Sequence, residues 1–426
     1  MRRRSILTAG LLAGALIAGT AACGSSDDNK TNTPTAEPEG TVTWWDTSDA
    51  TNEAPVFKEL IAKFEAANPK IKVNYVNVPF DQARDKFKTA AQSGAGAPDV
   101  MRAEVAWTPE FASLGYLSAL DGTPALDKAE DYLAGPVGST KFNGKTYAIP
   151  QVTDALALLY NKKLLADAGV TAAPATMAEL KDAGLKLKAK KVEGIYLNPG
   201  SYFLLPFIYG EGGDLLNVDS KKVTVNSPEA VKGLQTVQDL IASGAAAKPA
   251  MTDGYNNMQT LFKEGKVGMV INGPWSVADD LSGAAFKDKA NLGIAPIPAG
   301  STGKVGSPVG GHNYAIYAGS KVIKASEKFI AFMNSAESQA FLAGKLGLLP
   351  TRGSAYDLPG AKDSAIVSAF KPVLEKATTR PAIPEGGSLF APLDTQYVNV
   401  LSGKASAQQG LDAVAEEYKK VLKGWS

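Results

Sequence analysis

Residues 141–165 constrain the fold more than any other stretch, because they place a polar segment between two apolar strand patterns. A short strand is predicted to stop at Pro150, and the polar residues 151–154 follow it. The continuous apolar run 156–160 then predicts a strand that is buried on both faces. This pattern allows two interpretations: the chain crosses a cleft between two lobes with Asp154 facing the gap, or the polar segment is a surface turn.

Local signals flank this segment on both sides. Asn143-Gly144 lies between apolar residues and predicts the tight turn of a β-hairpin. Asn161 follows the second strand and is predicted to cap a helix that begins at Lys162.

Strand and helix patterns alternate along the rest of the chain. This alternation predicts an α/β fold with largely parallel sheets, in which loops at the carboxyl ends of strands bind the ligand. The predicted strands cover 42–46, 71–75, 99–101 and 267–271, and the predicted helices cover 56–64, 82–92, 109–114, 177–187, 228–242, 257–264, 327–334, 337–342, 365–376, 389–401 and 408–423.

The first 22 residues have the pattern of a signal peptide, with arginines followed by a short apolar stretch. Arg3-Arg4 also fits a twin-arginine signal. Small residues precede Cys23, as in the lipobox of bacterial lipoproteins, so cleavage before Cys23 and a lipid anchor on its sulfur are expected. The alternative is a free thiol in a spacer. If the lipid anchor forms on Cys23, residues 23–40 are a flexible, lipid-anchored linker.

Composition narrows the function classes. The body from Thr41 onward is long enough for two domains, and its net charge contributes no strong field, since the whole chain carries +1. We therefore expect no nucleic-acid partner. No run after residue 40 reaches transmembrane length.

The chain lacks the residues of most catalytic sites. His312 is its one histidine and Cys23 its one cysteine, which argues against His/Cys metal clusters and against Ser-His-Asp or Cys-His chemistry. We expect no cofactor, no metal and no enzymatic activity. The enzymatic alternative is a secreted glycosidase, which would use two of the carboxylates Asp49, Glu53, Glu104 and Asp154.

Aromatic residues follow several predicted strands and turns. Trp107, Tyr202 and Trp275 each lie in such a position. Sugars offer C–H faces that stack on aromatic rings, and hydroxyls that bond to carboxylate and guanidinium groups. Taken singly each ring is more readily a core residue, so the sugar interpretation depends on their joint placement.

At these residues the chain resembles extracellular solute-binding proteins of ABC importers, in the carbohydrate group that includes the maltose-binding proteins. The resemblance covers nearly all of 41–424, and its motifs are Phe142-Asn143-Gly144-Lys145, Ile149-Pro150, Leu158-Leu159-Tyr160-Asn161-Lys162, Gly268 and Ile271-Asn272-Gly273-Pro274-Trp275, with support from Pro98-Asp99-Val100 and Tyr202-Phe203-Leu204-Leu205-Pro206.

The resemblance implies a periplasmic-binding-protein-like fold, with two α/β lobes joined by a three-crossing hinge and a ligand cleft between them. The first lobe would comprise 41–152 and 312–348, and the second 153–311 and 349–426. The crossings would lie near 152–154, 310–313 and 347–351.

The resemblance also implies the ligand-binding residues. Asp49 and Asp154 match positions that hydrogen-bond sugar hydroxyls, and Tyr202, Trp275 and Phe390 match aromatic residues that stack on sugar rings. Further cleft positions fall on Glu53, Arg84, Gly310 and Gly311. In the loop after Pro98-Asp99 this chain lacks the aromatic and Asp-Arg residues of maltose-binding members, and Arg102, Glu104 and Trp107 are expected to take their place.

The expected function is that of the substrate-binding component of an ABC importer. It would capture a maltose or maltodextrin-type oligosaccharide outside the membrane and deliver it to membrane permease subunits that a cytoplasmic ATPase drives. Alternatives are the same role with cellobiose, xylobiose or trehalose, or a non-sugar solute. A monomer anchored to the cell membrane through Cys23 is expected.

Overall fold

The computed structural model describes residues 37–426, so the predicted signal peptide, Cys23 and all but the end of the predicted linker lie outside the described residues. Pro38–Ser426 form one compact unit that contains two large β-sheets. Within 37–426 no helix combines the length and the apolar character needed to cross a membrane.

The strands of the described residues are numbered in chain order. They are β1 Gly40–Asp46, β2 Ile71–Asn77, β3 Val100–Glu104, β4 Lys141–Phe142, β5 Lys145–Thr146, β6 Ala148–Ala155, β7 Ala157–Asn161, β8 Glu193–Tyr196, β9 Leu216–Asn217, β10 Lys222–Val223, β11 Ala246–Ala247, β12 Val267–Asn272, β13 Leu292–Ala295, β14 Pro308–Ile316 and β15 Thr378–Thr379.

The helices confirm the predicted ones, with ends that differ by a few residues. They are α1 Ala54–Ala67, α2 Phe80–Ser93, α3 Trp107–Ser113, α4 Ala134–Val137, α5 Lys162–Asp167, α6 Met177–Ala189, α7 Leu205–Gly210, α8 Pro228–Ala242, α9 Gly254–Lys263, α10 Pro274–Asp280, α11 Ile323–Met333, α12 Ala336–Leu346, α13 Pro359–Lys362, α14 Ala365–Leu374, α15 Phe390–Leu401 and α16 Ala407–Val421.

The first lobe is organised around a sheet with the strand order β15-β14-β3-β1-β2, and β6 also pairs with β14. Its core on one face surrounds Trp44, whose indole makes edge-to-face contacts with Phe57, Tyr75 and Phe329. A second cluster that includes Phe87 covers the other face. Burying apolar side chains on both faces is the main source of stability for such a sheet.

The second lobe contains a sheet with the strand order β11-β8-β12-β7-β13. The predicted strand at 156–160 is confirmed as β7, and it is buried on both faces because Leu158 and Leu159 belong to different core clusters. The Asn161 side chain accepts a hydrogen bond from the Leu164 amide, at 3.0 Å, which confirms the predicted helix cap.

The prediction of largely parallel sheets is wrong for the strands that connect the lobes. β14 runs antiparallel to β3 and β6, and β7 runs antiparallel to β12 and β13. The reason is directional: β6 carries the chain out of the first lobe and β14 carries it back, so the two strands run in opposite senses.

The chain passes between the lobes three times. It leaves the first sheet at Leu156, between β6 and β7, and returns between β13 and β14. The third passage follows α12, where Leu349 forms a bridge to Thr153. The segments predicted as the first two crossings therefore belong to paired strands of the first sheet. β15 pairs with the first two residues of β14, and the lobe boundaries stay a prediction.

Two local predictions at the start of this region have different outcomes. The hairpin is confirmed, since β4 and β5 pair and both Asn143 and Gly144 have the positive φ angles of a tight hairpin turn. The prediction that the strand stops at Pro150 is wrong. β6 continues through Pro150 because the pairing register with β14 shifts at this point, and such an irregularity tolerates a residue without an N–H donor.

Candidate ligand-binding site

The candidate site lies where the two connecting strands, β6 and β14, meet the second lobe. Asp154 is near the end of β6, opposite Gly310 of β14. The Tyr202 hydroxyl, from a short 3-10 turn of the second lobe, donates a hydrogen bond to Asp154 Oδ1 at 3.1 Å. The two lobes are thus joined at a carboxylate that is 8% exposed.

Two glycines of β14 make room for this arrangement. A Cβ atom on Gly310 would lie 2.2 Å from Asp154 Oδ1 and 2.4 Å from the Tyr202 hydroxyl oxygen. Gly311 has a φ of 135°, a conformation that side chains disfavour. Burial raises the pKa of Asp154 to about 6, even though the Arg380 guanidinium and the Tyr202 hydrogen bond lower it.

Arg380 occupies the centre of this junction and was missed from the sequence. Its guanidinium forms an ion pair with Glu104 of the first lobe, and its Nε donates to the Val309 carbonyl at 3.1 Å. The same guanidinium lies 5.3 Å from the ring centre of Tyr202 and 5.4 Å from that of Phe390. Arg380 therefore holds two of the predicted stacking rings beside a predicted carboxylate.

A group of buried polar residues lies in the first lobe at the ends of β1 and β3. Arg102 is 3% exposed, and its Nε donates to Gln151 Oε1 at 2.9 Å. Glu53 Oε2 accepts from the Asp49 amide at 2.9 Å, while Glu53 Oε1 has no hydrogen-bond partner within residues 37–426. Burial raises the pKa of Glu53, although Arg102 lowers it. The free oxygen suits a ligand hydroxyl.

Asp49 itself is exposed and stabilises its own loop. Its Oδ1 accepts hydrogen bonds from the amides of Thr51, at 2.9 Å, and Asn52, at 2.7 Å. These bonds position the start of α1. The role of Asp49 as a sugar contact stays a prediction.

Arg84 and Trp107 both make contacts within the protein. Arg84 is committed to a two-pronged ion pair with Glu110, at 2.7 and 2.8 Å, and donates a further bond to Ser388 at 2.8 Å. Trp107 is 6% exposed and belongs to an apolar cluster of the first lobe. Their roles as ligand contacts stay a prediction.

The second lobe contributes Trp275 and Phe390. Both are half-buried, and Trp275 packs against core clusters of both lobes. The Trp275 indole N–H donates to the Tyr255 hydroxyl at 3.0 Å, which fixes the ring orientation. Phe390 begins α15 with its ring centre 6.5 Å from that of Tyr202. Phe390 therefore lies beside Tyr202, and Trp275 lies between core clusters of the two lobes.

His312 is a further polar group of the site. It is two residues from Gly310 on β14, and both of its ring nitrogens are buried without a hydrogen-bond partner in the described part of the chain. Burial lowers the pKa of His312 well below its usual value, and the charges of Arg102 and Arg380 act in the same direction. A neutral imidazole offers one donor and one acceptor.

The candidate site residues that were not predicted from the sequence differ in the strength of their sequence signal. Gln151 stands in the same polar segment as Asp154, and His312 follows the predicted glycines, so both had a positional signal. Arg380 and Tyr255 had none. Arg380 reaches a partner that is 276 residues earlier in the chain, and such a contact exists only in the folded protein.

Comparisons with known proteins agree with this geometry. The family model for bacterial extracellular solute-binding proteins matches residues 49–340, which is more than half of the chain. The diacetylchitobiose binding protein DasA of Streptomyces coelicolor is 30% identical over 438 residues and is matched over 99% of both chains.

Two solved structures have the same fold. The GacH receptor of Streptomyces glaucescens, solved unliganded and in complex with acarbose, is 49% identical with a TM-score of 0.89, over 92% of this chain and 100% of that one. Maltose-bound MalE3 of T. maritima is 27% identical with a TM-score of 0.82, over 89% and 99% of the two chains. From the extent of the family match and from these likenesses, the chain belongs to the bacterial extracellular solute-binding proteins.

Proposed function

We propose that this protein is the substrate-binding component of an ABC importer, and that it captures a maltose or maltodextrin-type oligosaccharide outside the membrane. The observation that carries this proposal is the junction at which Asp154 of the first sheet bonds Tyr202 of the second lobe. A ligand that binds there contacts both lobes at once.

The chemistry of the junction favours a sugar. The Tyr202, Trp275 and Phe390 rings suit the apolar C–H faces of pyranose rings, and the Asp154 and Glu53 oxygens suit sugar hydroxyls. The names of similar proteins mention diacetylchitobiose, acarbose and maltose, and this range supports an oligosaccharide without choosing among linkages. The alternative is the same role with cellobiose, xylobiose or trehalose.

Binding would act through closure of the two lobes about the three connecting segments. An open form samples closed arrangements, and a sugar that contacts both lobes shifts the population toward the closed one. The closed form would dock on the permease, and the cytoplasmic ATPase supplies the energy. Export, cleavage before Cys23 and a lipid anchor on that residue would keep a monomeric binding protein beside the permease.

The test is a titration of the protein with a panel of sugars, in which binding is measured by tryptophan fluorescence and by calorimetry. The panel holds maltose, maltotriose, cellobiose, xylobiose, trehalose, glucose, acarbose and diacetylchitobiose. Because Trp275 packs against both lobes, closure should change its emission, and a Trp275→Phe variant identifies the source of the signal.

Saturable binding of an α-glucan at roughly micromolar concentration, about −8 kcal/mol, would support the proposal as stated. Binding of a different sugar alone would keep the role and replace the ligand. If no sugar of the panel gives a binding signal in either measurement, the proposal of a sugar ligand is refuted. Steady release of reducing sugar that is lost on Asp154→Ala would instead establish the glycosidase alternative.

A further inference from the structure

Phe80 is the most exposed large apolar side chain of the described residues, and it is not isolated on the surface. It begins α2 and is 49% exposed. Its ring stacks on the Trp107 indole, with ring centres 5.1 Å apart and planes inclined by 28°. The indole packs along one face of the phenyl ring, and about half of the Phe80 side chain still remains exposed.

The ring is held firmly in this orientation. Trp107 is buried, and its own ring lies 6.3 Å from that of Phe111 in the first-lobe core. The phenyl ring also makes a T-shaped contact with His312, with ring centres 5.9 Å apart and planes at 73°. An aromatic platform that is already fixed loses little conformational entropy when a ligand stacks on it.

His312 connects this platform to the candidate site. Its main chain is two residues from Gly310, the sheet partner of Asp154. Both imidazole nitrogens are buried and lack a hydrogen-bond partner within residues 37–426, which costs free energy unless a ligand supplies the bonds. An exposed apolar ring beside an unpaired donor and acceptor is a combination that suits a sugar ring.

We propose that Phe80 and His312 form an additional sugar subsite at the first-lobe edge of the cleft, with the ring stacking on Phe80 and its hydroxyls bonding to His312. The inference rests on the proposed function, because it assumes an oligosaccharide in the cleft. It adds that the preferred ligand is longer than the sugar units that contact Asp154, Tyr202 and Trp275. Chain-length preference is then set at Phe80.

The experiment compares the parent protein with Phe80→Ala and Phe80→Tyr by calorimetry. The probes are two series of sugars of increasing length, maltose to maltopentaose and cellobiose to cellopentaose. Affinities are compared within the series that the parent protein binds. Leu185→Ala is the matched control, since Leu185 is a 41% exposed apolar residue on α6 of the second lobe. Thermal unfolding of each variant verifies that the fold is retained.

We expect Phe80→Ala to lower the affinity for the longest ligands about tenfold, on the scale of one aromatic contact, and to leave the shortest bound ligand within about twofold. Phe80→Tyr should restore the preference for long ligands, and Leu185→Ala should bind every length as the parent does. His312→Leu should weaken the same long ligands.

Three results would overturn the inference. Equal binding of all lengths by Phe80→Ala and parent would leave the sugar-binding role intact and remove the subsite. A uniform loss at every length would show that Phe80 acts on the whole cleft and not on long ligands alone. If the parent binds neither series, nor any other sugar of the panel, the proposed function fails together with this inference.

Discussion

Replacing Asp154 by asparagine is expected to make the protein more stable at neutral pH and a weaker binder of sugar. Burial raises the pKa of Asp154 to about 6 in the folded protein, from an ordinary value of 3.8, while Arg380 and the Tyr202 hydroxyl offset part of the effect. Glu104 raises it further, and Arg102 lowers it. The folded chain therefore holds a proton at Asp154 over a pH range in which the unfolded chain has released it.

The sign of the pH dependence follows from this difference. Between about pH 4 and pH 6 the folded state binds more protons, so the free energy of unfolding falls as the pH rises and stays lower above pH 6. About two pKa units correspond to about 3 kcal/mol. Asparagine has nearly the same shape and no charge. The stability of Asp154→Asn relative to the parent should therefore increase by about 3 kcal/mol from pH 4 to pH 8.

The same substitution that raises stability should lower the affinity for sugar. A neutral amide loses the charge-assisted hydrogen bonds that a carboxylate makes to ligand hydroxyls, and about tenfold weaker affinity at pH 7.5 is expected. Urea unfolding from pH 4 to pH 8 measures the first effect, and calorimetry with the sugar identified from the panel measures the second. Asp219→Asn, at an exposed carboxylate, controls for the change in net charge.

Two outcomes would contradict this reasoning. A stability difference that does not change with pH would show that burial imposes no ionisation penalty at Asp154. Parental affinity in the variant, with the stability effect present, would move the ligand away from this carboxylate and keep the electrostatic argument.

Three further substitutions test other parts of the site and of the fold. Trp275→Ala should lower sugar affinity by about 1–3 kcal/mol, roughly 5–150-fold, and unchanged affinity in calorimetry would make the ring a core residue. Gly310→Ala places a Cβ atom 2.2 Å from Asp154 Oδ1, so it should displace that carboxylate and weaken binding at least about tenfold, which parental affinity would disprove. Asp280→Asn removes a carboxyl group whose pKa is raised to about 7 by burial. The melting temperature of this variant should therefore exceed that of the parent by more at pH 8 than at pH 4. An equal difference at both pH values would refute this expectation.

Much of the fold was predictable because its signals are local. Periodic apolar residues located the helices, Asn143-Gly144 located the hairpin, and Asn161 located a helix cap. These features depend on interactions within one turn or one strand, so they are encoded where they occur. The family motifs extended the prediction to Asp154 and Tyr202, which do meet in the folded protein.

The tertiary structure decided what depends on distant segments. Arg380 pairs with Glu104 across 276 residues of chain, and no local pattern marks either residue for the other. The antiparallel pairing of β6 with β14 and the register shift beside Pro150 likewise arise from a chain that leaves the first lobe and returns. Burial of Trp107 under Phe80 depends on packing between α2 and α3. The sequence alone determined most of the helices, the family resemblance and part of the candidate site, whereas packing decided which distant side chains meet.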